Sequence, residues 1–167
     1  MYSIWLLEYA HMKKHPVGNV LAGQYNAGFR ELAFSYVLLK GNNHNILVDV
    51  GSNGNDPTTK KIHERDNISD WRSPEEVLKK VGLSPEDIDT VFLTHAHFDH
   101  IDNMQAFNNA CFYMQEKELM GWISAIMLPK RFRYSNMALK SQNIYTAMHL
   151  IEEERMRLIN GARINIL

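Results

Sequence analysis

A chain of 167 residues with 45% hydrophobic and 22% charged content has the size and composition of one ordinary globular domain, which excludes a disordered or fibrous protein. A formal net charge of −1 gives nucleic acid or an anionic membrane no electrostatic reason to bind. The single cysteine, Cys111, excludes an internal disulfide framework and fits a reducing compartment, so a cytoplasmic protein is expected.

The N-terminal MYSIWLLEYAHMKK has no basic lead and no small-residue cleavage site, so its apolar run reads as a first strand, Tyr2 to Ala10, rather than a secretion signal. No apolar run approaches the ~20 residues that span a bilayer. His11 to Arg30 contains Pro16, Gly18, Gly23 and Gly28, which predicts a mobile surface loop with at most a short strand near Val20. LAFSYVLLK, GNNHN and ILVDVG (Leu32 to Gly51) read as two strands joined by a tight polar turn. Residues 52 to 72 read as polar and irregular.

SPEEVLKKVGL predicts a short helix. Ser73 serves as N-cap, Pro74 suits the first helical position, Glu76 completes a capping box, and Gly82 sits where a C-cap belongs. SPEDID is a second capped turn leading into the strand TVFLT. ACFYMQ predicts another strand, with Cys111 as a small core residue. EKELMGWISAIM predicts a helix that is interrupted near Pro129. From Ser141 to Asn160 the apolar residues follow helical spacing until Gly161, and RINIL begins a strand. Strands first, then strand and helix in alternation, predict an α/β sandwich with helices covering sheet.

The chemistry concentrates at THAHFDH, Thr94 to His100. His95 and His97 are two apart, and alternate side chains of an extended strand end share one face, so both imidazoles can reach one ion. Asp99 and His100 follow once the chain turns and can approach the same cavity from another direction, which suits a second ion. Imidazole and carboxylate without thiolate is a ligand set for zinc, iron or manganese. The bland alternative is a histidine-rich turn that binds no metal. His11, His15, His44, His63 and His149 lie in loops, turns or a helix face and read as non-ligands.

THAHFDH resembles the HxHxDH signature of the metallo-β-lactamase-fold hydrolases. ILVDVG resembles that family's strand ending in an aspartate, KKVGLSPEDIDTVFLTHAHFDH its lead into the metal motif, and FYMQEKEL the strand and helix after it. The layout is most similar to the N-acyl homoserine lactonase branch. The resemblance implies that His95 and His97 bind a first metal and Asp99 and His100 a second. Both ions are divalent, zinc first, with iron or manganese open. Asp99 also steers protons, and Asp49 accepts from a ligand imidazole. Where many lactonase-like members have Ala-Gly-Gly after the motif, this chain has Ile101, Asp102 and Asn103.

The resemblance further implies an αββα sandwich of two αβ halves with the metals at the seam. This chain, 1–167, supplies the N-terminal half of a single metallo-hydrolase domain. The family's later histidine, bridging aspartate and final histidine do not appear before Leu167. A C-terminal half or a partner chain is therefore expected to complete the site and cover the sheet, a homo-oligomer being the competing arrangement. The implied function is a hydrolase that opens a cyclic ester or amide of a small molecule by attack of a metal-bound hydroxide. Rival readings are a thioesterase of the glyoxalase II type, an iron-binding oxygen-handling member, and a non-catalytic fragment acting as a binding or scaffold module. A nuclease of this fold lacks its basic stripe. Val20, Leu21, Tyr25 and Phe29, together with Met127, Leu128, Phe132 and Tyr134, line a hydrophobic substrate on this reading or simply pack in the core.

Overall fold

A computed structural model describes residues 1–132 and 138–161. Strand β1 runs from Tyr2 to Pro16 and pairs antiparallel with β2, Phe29–Gly41. The expected loop over His11 to Arg30 is narrower than the sequence suggested: its two ends are strand, with pairs such as Met12–Leu32 and His15–Arg30, and the connection itself spans 17–28. The strand at its ends was hidden from the sequence because this end of the hairpin is solvated on both faces and shows no alternation. Its tip holds a short 3-10 turn at Val17–Asn19. A register shift between Glu8 and Ala10 buries Tyr9 and Ala10 consecutively, as a bulge does when it turns an extra residue inward.

Strand β3, His44–Val48, returns antiparallel to β2. The two residues between them, Asn42 and Asn43, have φ of 51° and 62°, the left-handed pair that a tight hairpin turn requires. Helix α1, Pro57–Asp66, and the short β4, Ile68–Ser69, replace the expected irregular stretch. Asp56 caps α1 by accepting from the Thr58 and Thr59 amides, and Asn67 ends it at φ 54°. The helix was missed because its buried residues are Thr59 and His63, so no aliphatic stripe marks its period.

Helix α2, Pro74–Lys79, has the expected Ser73–Glu76 capping box. Strand β5, Thr90–Leu93, leads to α3, Phe98–Ile101. Strand β6, Cys111–Gln115, and helix α4, Glu116–Met127, follow as expected, although Cys111 is only half-buried. Helix α5, Ser141–Glu152, ends earlier than its apolar spacing suggested, and Met156–Ile159 forms strand β7. RINIL lies outside the described residues. No helix among the described residues is long and apolar enough to cross a membrane.

One mixed sheet results, in the order β4-β1-β2-β3-β5-β6-β7, parallel from β3 through β7. Register places Tyr36, Leu38, Leu47, Val91, Phe112 and Met156 on one face. They share the core with Val77, Leu78, Ile101, Leu119, Ile144 and Leu150 from the helices. The opposite face carries a row of paired residues, Leu6, Val37, Val48, Phe92 and Tyr113. None of these belongs to the core cluster. Leu6 is 69% exposed and Ile4 beside it 74%, so this face is apolar without a helical cover among the described residues.

Candidate metal centre

The parallel strands end on one side of the sheet, where ligands bind in open α/β sheets. The core strand β5 stops at Leu93, and the chain crosses this edge as Thr94–His97 before α3 begins. The backbone of this turn is pinned residue by residue. Thr94 N–H donates to Asp49 Oδ1 at 2.8 Å. Ala96 N–H donates to Glu118 Oε1 at 2.8 Å, and Phe98 N–H to the Ala138 carbonyl at 2.8 Å. The Tyr9 hydroxyl donates to the Asp99 carbonyl at 2.7 Å, and burial pushes its pKa up, so it remains a donor. Beyond β3 the chain runs beside α3: Val50 N–H donates to the His100 carbonyl at 2.8 Å, Asp102 N–H to the Gly51 carbonyl at 3.1 Å.

Asp49 is the centre of this scaffold. It follows β3 at φ 67°, a left-handed conformation that a non-glycine residue adopts only when its surroundings impose it. Its carboxylate is buried, accepts from both the amide and the hydroxyl of Thr94, and lies 2.8 Å from His100 Nδ1. A carboxylate can only accept, so His100 donates Nδ1–H to Asp49, and in the imidazolium Nε2, 3.3 Å from Asp99 Oδ2, is protonated as well.

The rings of His95 and His100 lie 3.9 Å apart between centroids, and those of His95 and His97 4.5 Å. His97 packs against Trp122 at 5.8 Å, and the Trp122 indole donates to Glu118, the residue that holds Ala96. The rings touch rather than fan out, and among the described residues no three His, Cys, Asp or Glu side chains stand in coordinating geometry. Convergence on an ion requires rotation of these side chains on a fixed backbone.

The electrostatics favour a cation. Burial works against the His100 imidazolium, yet Asp49 and Asp99 outweigh it and lift the pKa to about 9. Burial also works against the Asp99 carboxylate, but His100 holds it below the usual range. Burial, with His100 and His97 alongside, pushes His95 down, which leaves its imidazole neutral as a ligand must be. Imidazoles and carboxylates without thiolate fit a divalent metal in their donor chemistry, and such an ion would displace the His100 proton.

The remaining histidines stand apart from this cluster. His63 is buried in α1 rather than in a loop, 2.9 Å from the Ser52 hydroxyl, with its pKa pushed down by burial. His11 contacts Glu8 and Glu31, His44 contacts Asp89, and His149 contacts Glu152 on an exposed helix face. Val20, Leu21, Tyr25, Phe29 and Phe132 are exposed, which overturns core packing as their role. Val20 and Leu21 join His15, Val17, Arg30, Glu31 and Leu32 around a cavity of about 220 Å³ that none of the clustered histidines lines. Tyr134 lies outside the described residues. Sequence reading did not single out Tyr9, Glu118 or Trp122, whose roles arise only from long-range contacts.

A probable metallo-hydrolase of Methanocaldococcus jannaschii is 54% identical over 41 residues, 25% of this chain and 20% of that protein. The structure of a probable metal-dependent hydrolase from Staphylococcus aureus superposes with a TM-score of 0.62 at 22% identity, covering 95% of this chain and 58% of that one. A dizinc quorum-quenching lactonase with bound product gives 0.60 at 18%, covering 99% and 60%. A quorum-quenching N-acyl homoserine lactone hydrolase gives 0.62 at 21%, covering 95% and 57%. The chain thus spans less than two thirds of the length of these relatives, and it shares the fold of the three solved structures. The metallo-beta-lactamase superfamily model matches residues 30–136, more than half of the sequence, and the chain belongs to that superfamily.

Proposed function

We propose that this chain carries the metal-binding half of a hydrolase that opens a cyclic ester or amide, with His95, His97, Asp99 and His100 as its contribution to a two-metal site. The observation that carries the reading is the gathering of these four side chains at one strand end, with Asp49 fixing the tautomer of His100. A bound divalent ion would supply Lewis-acid polarisation of the carbonyl and activation of water near neutral pH. Asp49 orients His100, and Glu118 and Tyr9 hold the backbone on which the ligands turn. In ring opening a water oxygen would bond to the acyl carbon as the acyl bond to oxygen or nitrogen breaks, and the proton given up by that water would go to the departing atom. Asp99, an ionised carboxylate at the cluster, is placed to take up and return that proton. The lactone preference rests on likeness to lactonases at 18–21% identity, and fold alone does not select a substrate.

A further layer over the apolar face of the sheet completes this reading, supplied by more of the same polypeptide or by a partner chain, and it brings the remaining ligands. The exposure of Leu6 and Ile4, beside the partly buried Val37, Val48 and Phe92 on the same face, supports it, since contiguous exposed apolar patches mark interaction surfaces. A second reading, a binding module without turnover, draws on the ring packing that leaves no three ligands in coordinating geometry among the described residues. Metal content and turnover of a lactone panel by the intact protein separate the two. His97→Ala is expected to remove most bound metal and activity. Full metal occupancy in that variant by elemental analysis would show the ligand assignment to be wrong.

A further inference from the structure

Behind the histidine cluster lies a charged network that the ligand set does not use. Lys140 stands at the N-cap of α5 with only 8% of its side chain exposed. Its ammonium donates to Asp102 Oδ1 at 2.6 Å, Thr59 Oγ1 at 2.8 Å and Asp56 Oδ1 at 2.9 Å, which uses its full donor capacity. The Asp102 carboxylate is 2% exposed, and its second oxygen accepts from the Thr59 hydroxyl and the Asn53 amide. Buried ion pairs of this kind are often no more stabilising than an apolar replacement, so stability alone does not account for the arrangement.

Its location suggests another role. Helix α3 has only four residues, Phe98–Ile101, and a single turn cannot sustain itself because nucleation is unfavourable. Both of its ends are held by one short segment. The Ala138 carbonyl accepts from Phe98 N–H at the start of α3, and Lys140 grips Asp102, the residue that caps its end. Asp99 and His100 lie between these two anchors. We propose that Ala138–Lys140 forms a strap whose buried ammonium sets the orientation of α3, making Lys140 a positioning residue for the metal ligands. Asp102 transmits the constraint from the residue that ends the helix. The same network ties α3 to the cap of α1 through Asp56 and Thr59. This inference rests on the metal-site reading above.

The test compares intact wild-type protein with Lys140→Met and with the double variant Lys140→Met/Asp102→Asn. Zinc affinity is measured by chelator competition, and ligand geometry by the visible absorption spectrum of the cobalt-loaded protein. The metal-free thermal midpoint serves as the control for folding. Loss of a group that orients metal ligands typically weakens affinity ~10–100-fold; that loss, with a changed cobalt spectrum, is expected in both variants. If Lys140→Met leaves Asp102 unpaired and fails to fold, the double variant, which removes both charges, decides by the same readouts. Wild-type affinity and spectrum in a folded variant, with only the thermal midpoint lowered, overturn the strap and leave a structural ion pair. A wild-type protein that binds neither zinc nor cobalt overturns the metal reading itself, and the strap with it.

Discussion

Replacing Asp49 with asparagine isolates the chemistry of one carboxylate. The amide has nearly the same shape, and asparagine tolerates the left-handed region better than most residues, so the backbone at φ 67° is kept. One amide oxygen can still accept from the Thr94 amide at 2.8 Å. The amide nitrogen then faces His100 Nδ1 across a 2.8 Å contact, and two donors cannot share it. Turning the amide over moves the conflict onto the Thr94 N–H. The imidazole must therefore shift its proton to Nε2 or swing away, and either change takes a lone pair from the edge that faces Asp99.

A hydrogen bond to a charged group contributes ~1.5–3 kcal/mol, and loss of a partner that orients a metal ligand costs ~10–100-fold in affinity. The second figure corresponds to about 1.4–2.8 kcal/mol, so the two estimates agree. Chelator competition on both proteins, with thermal midpoints of the metal-free forms, measures each part. Asp49→Ala should lose more stability, because it adds left-handed strain and removes the acceptor of Thr94. Unchanged metal affinity in Asp49→Asn would refute the claim that this carboxylate sets the His100 tautomer.

Two further outcomes follow from the same geometry. Gly51→Ala places a Cβ 2.9 Å from the Tyr9 ring at φ 71°, so it should cost ~1–3 kcal/mol and loosen the Tyr9 contact with Asp99; chemical denaturation indistinguishable from wild type would contradict the packing described. In the metal-free protein, His100 binds its proton more tightly when folded, because Asp49 and Asp99 outweigh burial and lift its pKa from 6.5 to about 9. Its contribution is fully present below pH 6.5 and is lost as the pH rises through about 9, on the order of 3 kcal/mol. Denaturation at several pH values across this window should show that fall, and its absence would remove Asp49 and Asp99 as partners of a protonated His100.

The parts of the fold legible in the sequence were those marked by local chemistry. Ser73, Pro74 and Glu76 announce α2 because a cap acts within one turn, and Asn42-Asn43 announces a hairpin because few residues accept a positive φ. The cluster at His95–His100 was legible because its residue types are seldom packed together without a reason. Helix α1 was not, because threonine and histidine fill its buried positions. Strand β7 was obscured because Leu158 and Ile159 continue the helical spacing of α5 across a break at Glu153–Arg155. The partners that hold the site depend on contacts distant in sequence. Tyr9 reaches Asp99 across 90 positions, Lys140 reaches Asp102 across 38, and Glu118 reaches Ala96 across 22. No local pattern encodes such pairings, which appear only when the sheet stacks its strand ends.

The most direct measurement is anomalous diffraction, at a metal absorption edge, from crystals of the intact protein grown with zinc. The account predicts two peaks, one beside His95 and His97 and one beside Asp99 and His100, with imidazole nitrogens at ~2.0–2.1 Å. A well-ordered cluster with no anomalous density, its imidazoles still packed ring against ring, would contradict it.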